Sequence, residues 1–348
     1  MGVGSVLSVC TCYNFLNEFT PNSSKITVST LYLSFQIVPA ILLPLFLGVI
    51  DEDVFPFLWL GLILSALGLC LTLSSIPESP HYLYSRRRFL ECQASLNYIA
   101  RFNRVSEGGP NFVDMTELHR DNLLTISQVD NDSEGGGIID LAWFYSQIRV
   151  ERSHLRHFLI ISACWTCSSM SYYLLTFRLS SLAGGNMLFN GFTVGVAELL
   201  ANLIVGTFLA ELGLKTTLIG SYLLAALASI LYLFPILTLA PWYAAILFFL
   251  RLGLVSGFAG TFYGTNALFR PDLIPLVFAI ANIGARLATA VTPQIGQNGD
   301  TVTMAVIFSL SLLGMMAANF ISGEVLMKKR KKKRSSKEKK KKHRSSKR

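Results

Sequence analysis

Charge is what this sequence has least of. Only 15% of its 348 residues are Asp, Glu, Lys or Arg, against about a quarter in a soluble globular chain. The length would furnish two or three soluble domains, and the shortage of charge excludes them. Signs of covalent chemistry are missing too. There is no glycine-rich phosphate loop, no nucleophile-and-base pattern and no carboxylate pair in a polar setting, so the chain reads as a non-enzyme without a cofactor. The six cysteines, at 10, 12, 70, 92, 164 and 167, are too few and scattered for a disulfide framework. Five lie in apolar stretches, where a thiol behaves as a small hydrophobe. Cys164-Trp165-Thr166-Cys167 matches C-x-x-C, but no second ligand pair or nearby histidine accompanies it, and no metal site is expected. No Lys or Arg precedes the first apolar run, so no secretory signal is expected. Val6 stands where an N-myristoylation site needs Ser or Thr.

What the chain has instead is hydrophobic length: 52% of its residues are apolar and its mean hydropathy is +0.49. A helix crossing about 30 Å of hydrocarbon needs about 20 apolar residues. Such runs cover 26–50, 55–76, 157–177, 187–209, 216–235, 242–264, 273–293 and 301–323. A weaker one over 1–20 is interrupted by Asn14, Asn17 and Glu18. The expected fold class is all-α, a polytopic transmembrane helix bundle with eight or nine spans.

The basic residues orient it. Lys328 to Arg348 carry 15 of the 30 Lys and Arg and one acid, and the rest of the chain is net −5. The links 77–156, 210–215 and 265–272, with this tail, hold Arg86, Arg87, Arg88, Arg149, Arg152, Arg156, Lys215 and Arg270. The opposite links hold Asp51, Glu52, Asp53, Arg178 and Asp300. By the excess of Lys and Arg on cytoplasmic loops, the first group and the C-terminus lie inside. A polybasic run beside the membrane attracts anionic inner-leaflet lipid at about 1 kcal/mol per charge near the surface; as a solvated tail it fixes topology. Asn22 and Asn131 head glycosylation sequons on the inner side, where neither is expected to be used.

The link 77–156 is the one long polar segment. Ser79-Pro80 reads as an N-cap followed by a first-turn proline. Phe89, Cys92, Leu96 and Ile99 share one helix face. Gly108-Gly109-Pro110 and Gly135-Gly136-Gly137 divide the segment. A helix over 138–150, with Trp143 and Phe144, is expected to lie in the membrane interface.

Particular motifs carry a resemblance. Ile76-Pro77-Glu78-Ser79-Pro80-His81-Tyr82-Leu83 is similar to the Pro-Glu-Ser-Pro-Arg-Trp-Leu that closes the sixth helix of sugar-porter and organic-ion carriers of the major facilitator superfamily. Ala210-Glu211-Leu212-Gly213-Leu214-Lys215-Thr216-Thr217-Leu218 resembles the loop between helices eight and nine. Trp165 with Tyr172-Tyr173, then Gly185-Asn186, Asn190 and Val196-Ala197-Glu198-Leu199, looks like helices seven and eight of the organic cation/anion transporter family. Arg251, Ala267-Leu268-Phe269, Arg286 and Pro293 follow in family order. The resemblance implies a partial major facilitator fold, helices four to twelve of twelve, in agreement with nine spans. It implies a remnant of the N-terminal half over 1–76 and a cytoplasmic linker with interfacial helices over 77–156. A C-terminal six-helix half over 157–323 and a polybasic cytoplasmic tail over 324–348 follow. His81 replaces the family's Arg, Ala267 its Glu and Glu211 its Asp, and Leu214 replaces a base. The changes at His81, Ala267 and Leu214 remove charges that latch the two halves together, whereas Glu211 keeps the negative charge.

Three charges fall inside apolar spans: Glu198, Arg251 and Arg286. Each costs roughly 2.5–3.5 kcal/mol at the bilayer centre by insertion scales, so each needs a partner or a wet cavity. Around a cavity, two guanidiniums and one carboxylate leave positive charge suited to a carboxylate or sulfate. Alternatively, Glu198 and Arg251 form an internal bridge. The resemblance adds Trp165, Tyr172, Tyr173 and Asn190 to the substrate-binding set, with Tyr263 and Phe249 as further aromatics; ordinary packing is the other reading of the rings. At the position of Arg286 the family's anion carriers have Arg and its cation carriers Asp. Glu78, Arg87, Glu211 and Lys215 are the expected inner gating charges. The resemblance thus implies a secondary carrier of small organic ions, leaning to anions, working by alternating access, possible as a homo-oligomer and binding no nucleic acid. The competing class is a non-transporting truncated carrier that binds partners or lipid through 77–156 and the tail.

Overall fold

The computed structural model describes residues 12–13, 15–16, 18–21, 24–50, 52–85, 87–104, 152–182, 186–234, 242–269 and 273–321. Most of the weak run over 1–20, the helix expected over 138–150, both sequons, Arg270 and the polybasic tail lie outside the described residues. In chain order the helices are α1 (Lys25–Phe35), α2 (Val38–Val49), α3 (Phe55–Ser75), α4 (Pro80–Ser85), α5 (Phe89–Phe102) and α6 (Arg152–Arg178). They continue with α7 (Met187–Glu211), α8 (Leu214–Tyr232), α9 (Trp242–Leu268), α10 (Ile274–Thr289), α11 (Thr292–Gly296) and α12 (Asp300–Asn319). All regular structure among the described residues is helical, and eight stretches are long and apolar enough to cross a membrane. The chain is an integral, multi-pass membrane protein.

Two of the apolar runs read as single spans are broken, each by a proline. Pro39 has no N–H, so the carbonyl of Phe35 loses its donor four residues on. The chain turns at Gln36-Ile37, where Ile37 N–H donates to Ser34 O at 3.1 Å, and α2 starts afresh. Pro293 deprives the carbonyl of Thr289 in the same way, and the Thr292 hydroxyl donates to that carbonyl at 2.7 Å instead. Ala290 and Val291 therefore form a joint between α10 and α11.

Two compact units form, residues 1–29 with 53–140 and residues 30–52 with 141–348. In the first, α3 is apolar all round and almost wholly uncovered by protein, the surface expected of a helix facing lipid. Its Ser65 and Thr72 hydroxyls donate to Gly61 O and Gly68 O at 2.8 Å, so these two polar groups are met within the helix itself. The α4 helix begins at Pro80 with Tyr82 N–H donating to Ser79 Oγ. The α5 helix straps back on it: Ser95 Oγ donates to Glu78 O at 2.7 Å and Cys92 Sγ to Pro80 O at 3.3 Å, with Phe89 and Cys92 buried.

In the second unit α9 is the best-buried helix and packs against α8, α7 and α6. The α6 helix also meets α10 and α12, α8 lies along α12, and α2 lies on α7. Small residues set the closest approach: a Cβ at Gly253 would stand 2.7 Å from the backbone N of Ala225 on α8. Antiparallel α8 and α12 define two ends of this unit. At one, Lys215 donates to Asn319 O; at the other, Tyr232 donates to Asp300 Oδ2 at 3.3 Å. These are the near end and the far end below.

Candidate substrate site

Glu198 and Arg251 meet in the buried middle of the second unit. Arg251 Nε and Nη2 both donate to Glu198 Oε2, at 3.1 and 2.7 Å, with side chains 3% and 7% exposed. The rest of the guanidinium is also engaged. Nη1 donates to Tyr172 O at 3.3 Å and Thr176 Oγ1 at 3.0 Å, and Cζ lies 3.8 Å from the Tyr172 ring centre. Tyr172 closes the circuit by donating its hydroxyl to Glu198 Oε1 at 2.9 Å. The desolvation cost of two buried ions is met by paired, charge-assisted bonds, and the group is electrically neutral.

Arg286 is arranged differently. It lies in the last turn of α10, where the negative end of the helix dipole favours a cation. Its Nη1 donates to the Tyr173 hydroxyl and its Cζ lies 4.8 Å from the Tyr173 ring centre. Its Nε is buried without a hydrogen-bond partner. Successive residues on a helix point about 100° apart. Tyr172 thus serves α7 and α9 while Tyr173 serves α10, and their rings meet edge-on at 5.2 Å. Adjacent tyrosines on α6 therefore hold one arginine each, one matched by a carboxylate and one with no carboxylate bond among the described residues. Thr176, one helical turn beyond Tyr172, belongs to the group on its bond to Arg251; its i+4 spacing from Tyr172 was the sequence signal for it.

The remaining candidates stand elsewhere. Trp165 is 1% exposed, donates Nε1 to Thr265 Oγ1 at 3.2 Å, and packs among Phe258, Phe262 and Phe278. Phe258 also stacks on Tyr172 at 5.5 Å, so the indole adjoins the charged group through one ring. Asn190 is fully buried, and its Nδ2 donates to Leu179 O at 3.2 Å. It lies eight residues before Glu198, about 12 Å along α7 toward the far end. Tyr263 packs with Leu33, Val205 and Ala259, whereas Phe249 faces outward beside Phe248.

Of the gating set, Glu78 has an ion pair with Arg88 at 3.5 Å, and Arg87 has a left-handed backbone (φ 58°). Arg88 Nε also donates to Glu91 at 2.7 Å. That bond raises the Arg88 pKa and lowers the Glu91 pKa from their ordinary values. Lys215 is engaged with Asn319 O, and Glu211 is exposed at the end of α7.

A bundle of membrane-length helices with an ionised, hydrogen-bonded group at its centre defines a polytopic membrane protein. Residues 1–293 match the family model of the Major Facilitator Superfamily, and the chain belongs to that family, one of carriers rather than enzymes. It is similar to solute carrier family 22 member 16 of Homo sapiens, with 26% identity over 264 residues. The alignment covers 73% of this chain and 41% of that relative, so the chain spans well under two thirds of the relative's length.

Proposed function

We propose that the protein is a secondary carrier of small organic anions, of the organic-ion-transporter type, whose substrate meets Arg286 between Tyr173 and the Tyr172–Glu198–Arg251 group. One observation carries this reading. Arg251 is neutralised by Glu198, whereas among the described residues Arg286 has a buried Nε with no bond and only a tyrosine hydroxyl on Nη1. A flat carboxylate or sulfonate supplies what Nε lacks, and the tyrosine rings offer a stacking surface. Trp165 supports the platform through Phe258, and Asn190 belongs to the far-end approach.

In this reading the region 157–323 is the C-terminal half of a carrier and 1–76 the remainder of helices four to six. Glu78, Arg87, Glu211 and Lys215 act as the inner latch, the C-terminus is cytoplasmic, and the tail binds anionic inner-leaflet lipid. Alternating access rocks two halves around a midplane site.

The test is binding of a radiolabelled aryl carboxylate to the purified chain, alongside uptake by cells that express it. Arg286→Ala is expected to abolish binding; undiminished binding refutes the assignment. The replaced latch charges, Ala267 and His81, favour a second reading, a membrane binding or regulatory protein. Binding without uptake is the result that selects it.

A further inference from the structure

At the far end, Arg178 closes α6. Its Nη2 pairs with Asp300, the first residue of α12, and the ion pair is four-fifths buried at 18% and 20% side-chain exposure. Asp300 also accepts from Tyr232, the last residue of α8. One carboxylate thus ties three helices together. The Arg178 stem does something further. A Cβ at Gly296 would lie 3.4 Å from Arg178 Cδ and 3.8 Å from Leu174 Cδ1, so the stem lies against the end of α11. Its Nε is buried with no hydrogen-bond partner. The guanidinium is held there by Asp300 rather than by a full set of bonds of its own.

The α11 helix is five residues long, and among the described helices its main packing is on α6 and α12. At its other end is the proline joint at Ala290-Val291, where the backbone ladder is already interrupted and a Thr292 hydroxyl substitutes for the missing N–H. Arg286 sits in the last turn before that joint, six residues and about 9 Å from Thr292. A short segment with a weakened joint at one end and a charged strut at the other has the two parts of a hinged door.

We propose that α11 is a hinged gate at the far-end approach to Arg286, and that Arg178, braced by Asp300 and Tyr232, is the bolt that holds it shut. When the pair parts, α11 swings about Ala290-Val291 and uncovers the inner side of Thr292 and Leu174. The role as a gate to substrate rests on the carrier reading; the hinge and bolt do not. They are tested without uptake.

The full chain carrying Leu174→Cys is made in cells and treated with a membrane-impermeant maleimide, before and after permeabilisation. Labelling is counted above that of the chain with its native cysteines alone. Leu174 is fully buried, so the parent is expected to label slowly from either side. Arg178→Gln, and independently Asp300→Asn, is expected to raise the rate at least about fivefold. The exchange Arg178→Asp with Asp300→Arg is expected to bring it back toward the parent. Tyr222→Phe, a buried change outside the bolt, is the control for general loosening and is expected to leave the rate alone. Fast labelling of the parent, no rise in either single variant, or an equal rise in the control overturns the proposal. Labelling that follows the pattern in a chain that neither binds nor takes up an anion keeps hinge and bolt and removes the carrier reading. Anion binding with unmoved labelling does the reverse.

Discussion

Replacing Glu198 by Gln changes almost nothing in shape and removes one charge from a site where nothing else compensates it. The Gln carbonyl can still accept from Arg251, and Thr176 and the Tyr172 carbonyl still hold Nη1 at 3.0 and 3.3 Å. What goes is the charge opposite a guanidinium that is 3% exposed. Two unit charges about 4 Å apart attract by about 4 kcal/mol at an effective dielectric of about 20, and removing one member of a buried pair costs about 3–5 kcal/mol. At about 2–4 °C per kcal/mol for a unit of this size, the thermal midpoint of the purified chain in detergent should fall by about 10 °C. Arg251→Met should cost a similar amount, because it leaves a carboxylate bonded to the Tyr172 hydroxyl alone. The double variant should recover at least half of either loss, since methionine fills the arginine stem and no unpaired charge remains. The readout is intrinsic tryptophan fluorescence on heating. A Glu198→Gln chain that melts within about 2 °C of the parent, or a double variant whose loss equals the sum of the singles, would show that the pair is not an interdependent buried unit.

Other outcomes follow from the packing. Gly253→Ala drives a methyl to 2.7 and 2.9 Å from backbone atoms of α8, which cannot rotate away, and should cost about 1–3 kcal/mol. Gly220→Ala, with nothing within 4 Å, should leave thermal stability unchanged; equal effects of the two would contradict the close approach of α8 and α9. Tyr222→Phe strips a buried hydroxyl from Ser168 (2.8 Å) and from the Cys164 carbonyl (3.0 Å), so its midpoint should drop by an amount corresponding to about 1–3 kcal/mol. Burial pushes the Cys92 thiol above its ordinary range. Because the thiolate is the nucleophile, its alkylation should be slower at neutral pH than that of an exposed thiol and should accelerate as pH rises. Complete modification within minutes at neutral pH would contradict the strap of α5 on α4.

The eight spans were legible because a bilayer imposes one requirement, about 20 apolar residues in a row, that composition alone expresses. The joints within two of them were written in the sequence as Pro39 and Pro293, but a hydropathy run has no term for a missing N–H. Which residues face each other was harder to read. Helices such as α7 and α9 are apolar on every side, so no polar stripe reveals the turn of the helix that carries Glu198 or Arg251. Those two residues were recognisable as candidates only because ions are scarce there, and the bridge and cavity readings stayed open. Asn190 illustrates the opposite case. The resemblance groups it with Glu198, but eight residues of rise place its amide at Leu179, near the far end. Arg178 and Asp300 read as loop charges because each ends a span, and only the antiparallel packing of α8 and α12, with α6 beside α12, brings them together. In a membrane bundle the scarcity of charge therefore identifies which residues matter. The rotation and ends of the helices decide what they do, and those are set by small-residue contacts such as Gly253 on α8 and Gly195 on α2.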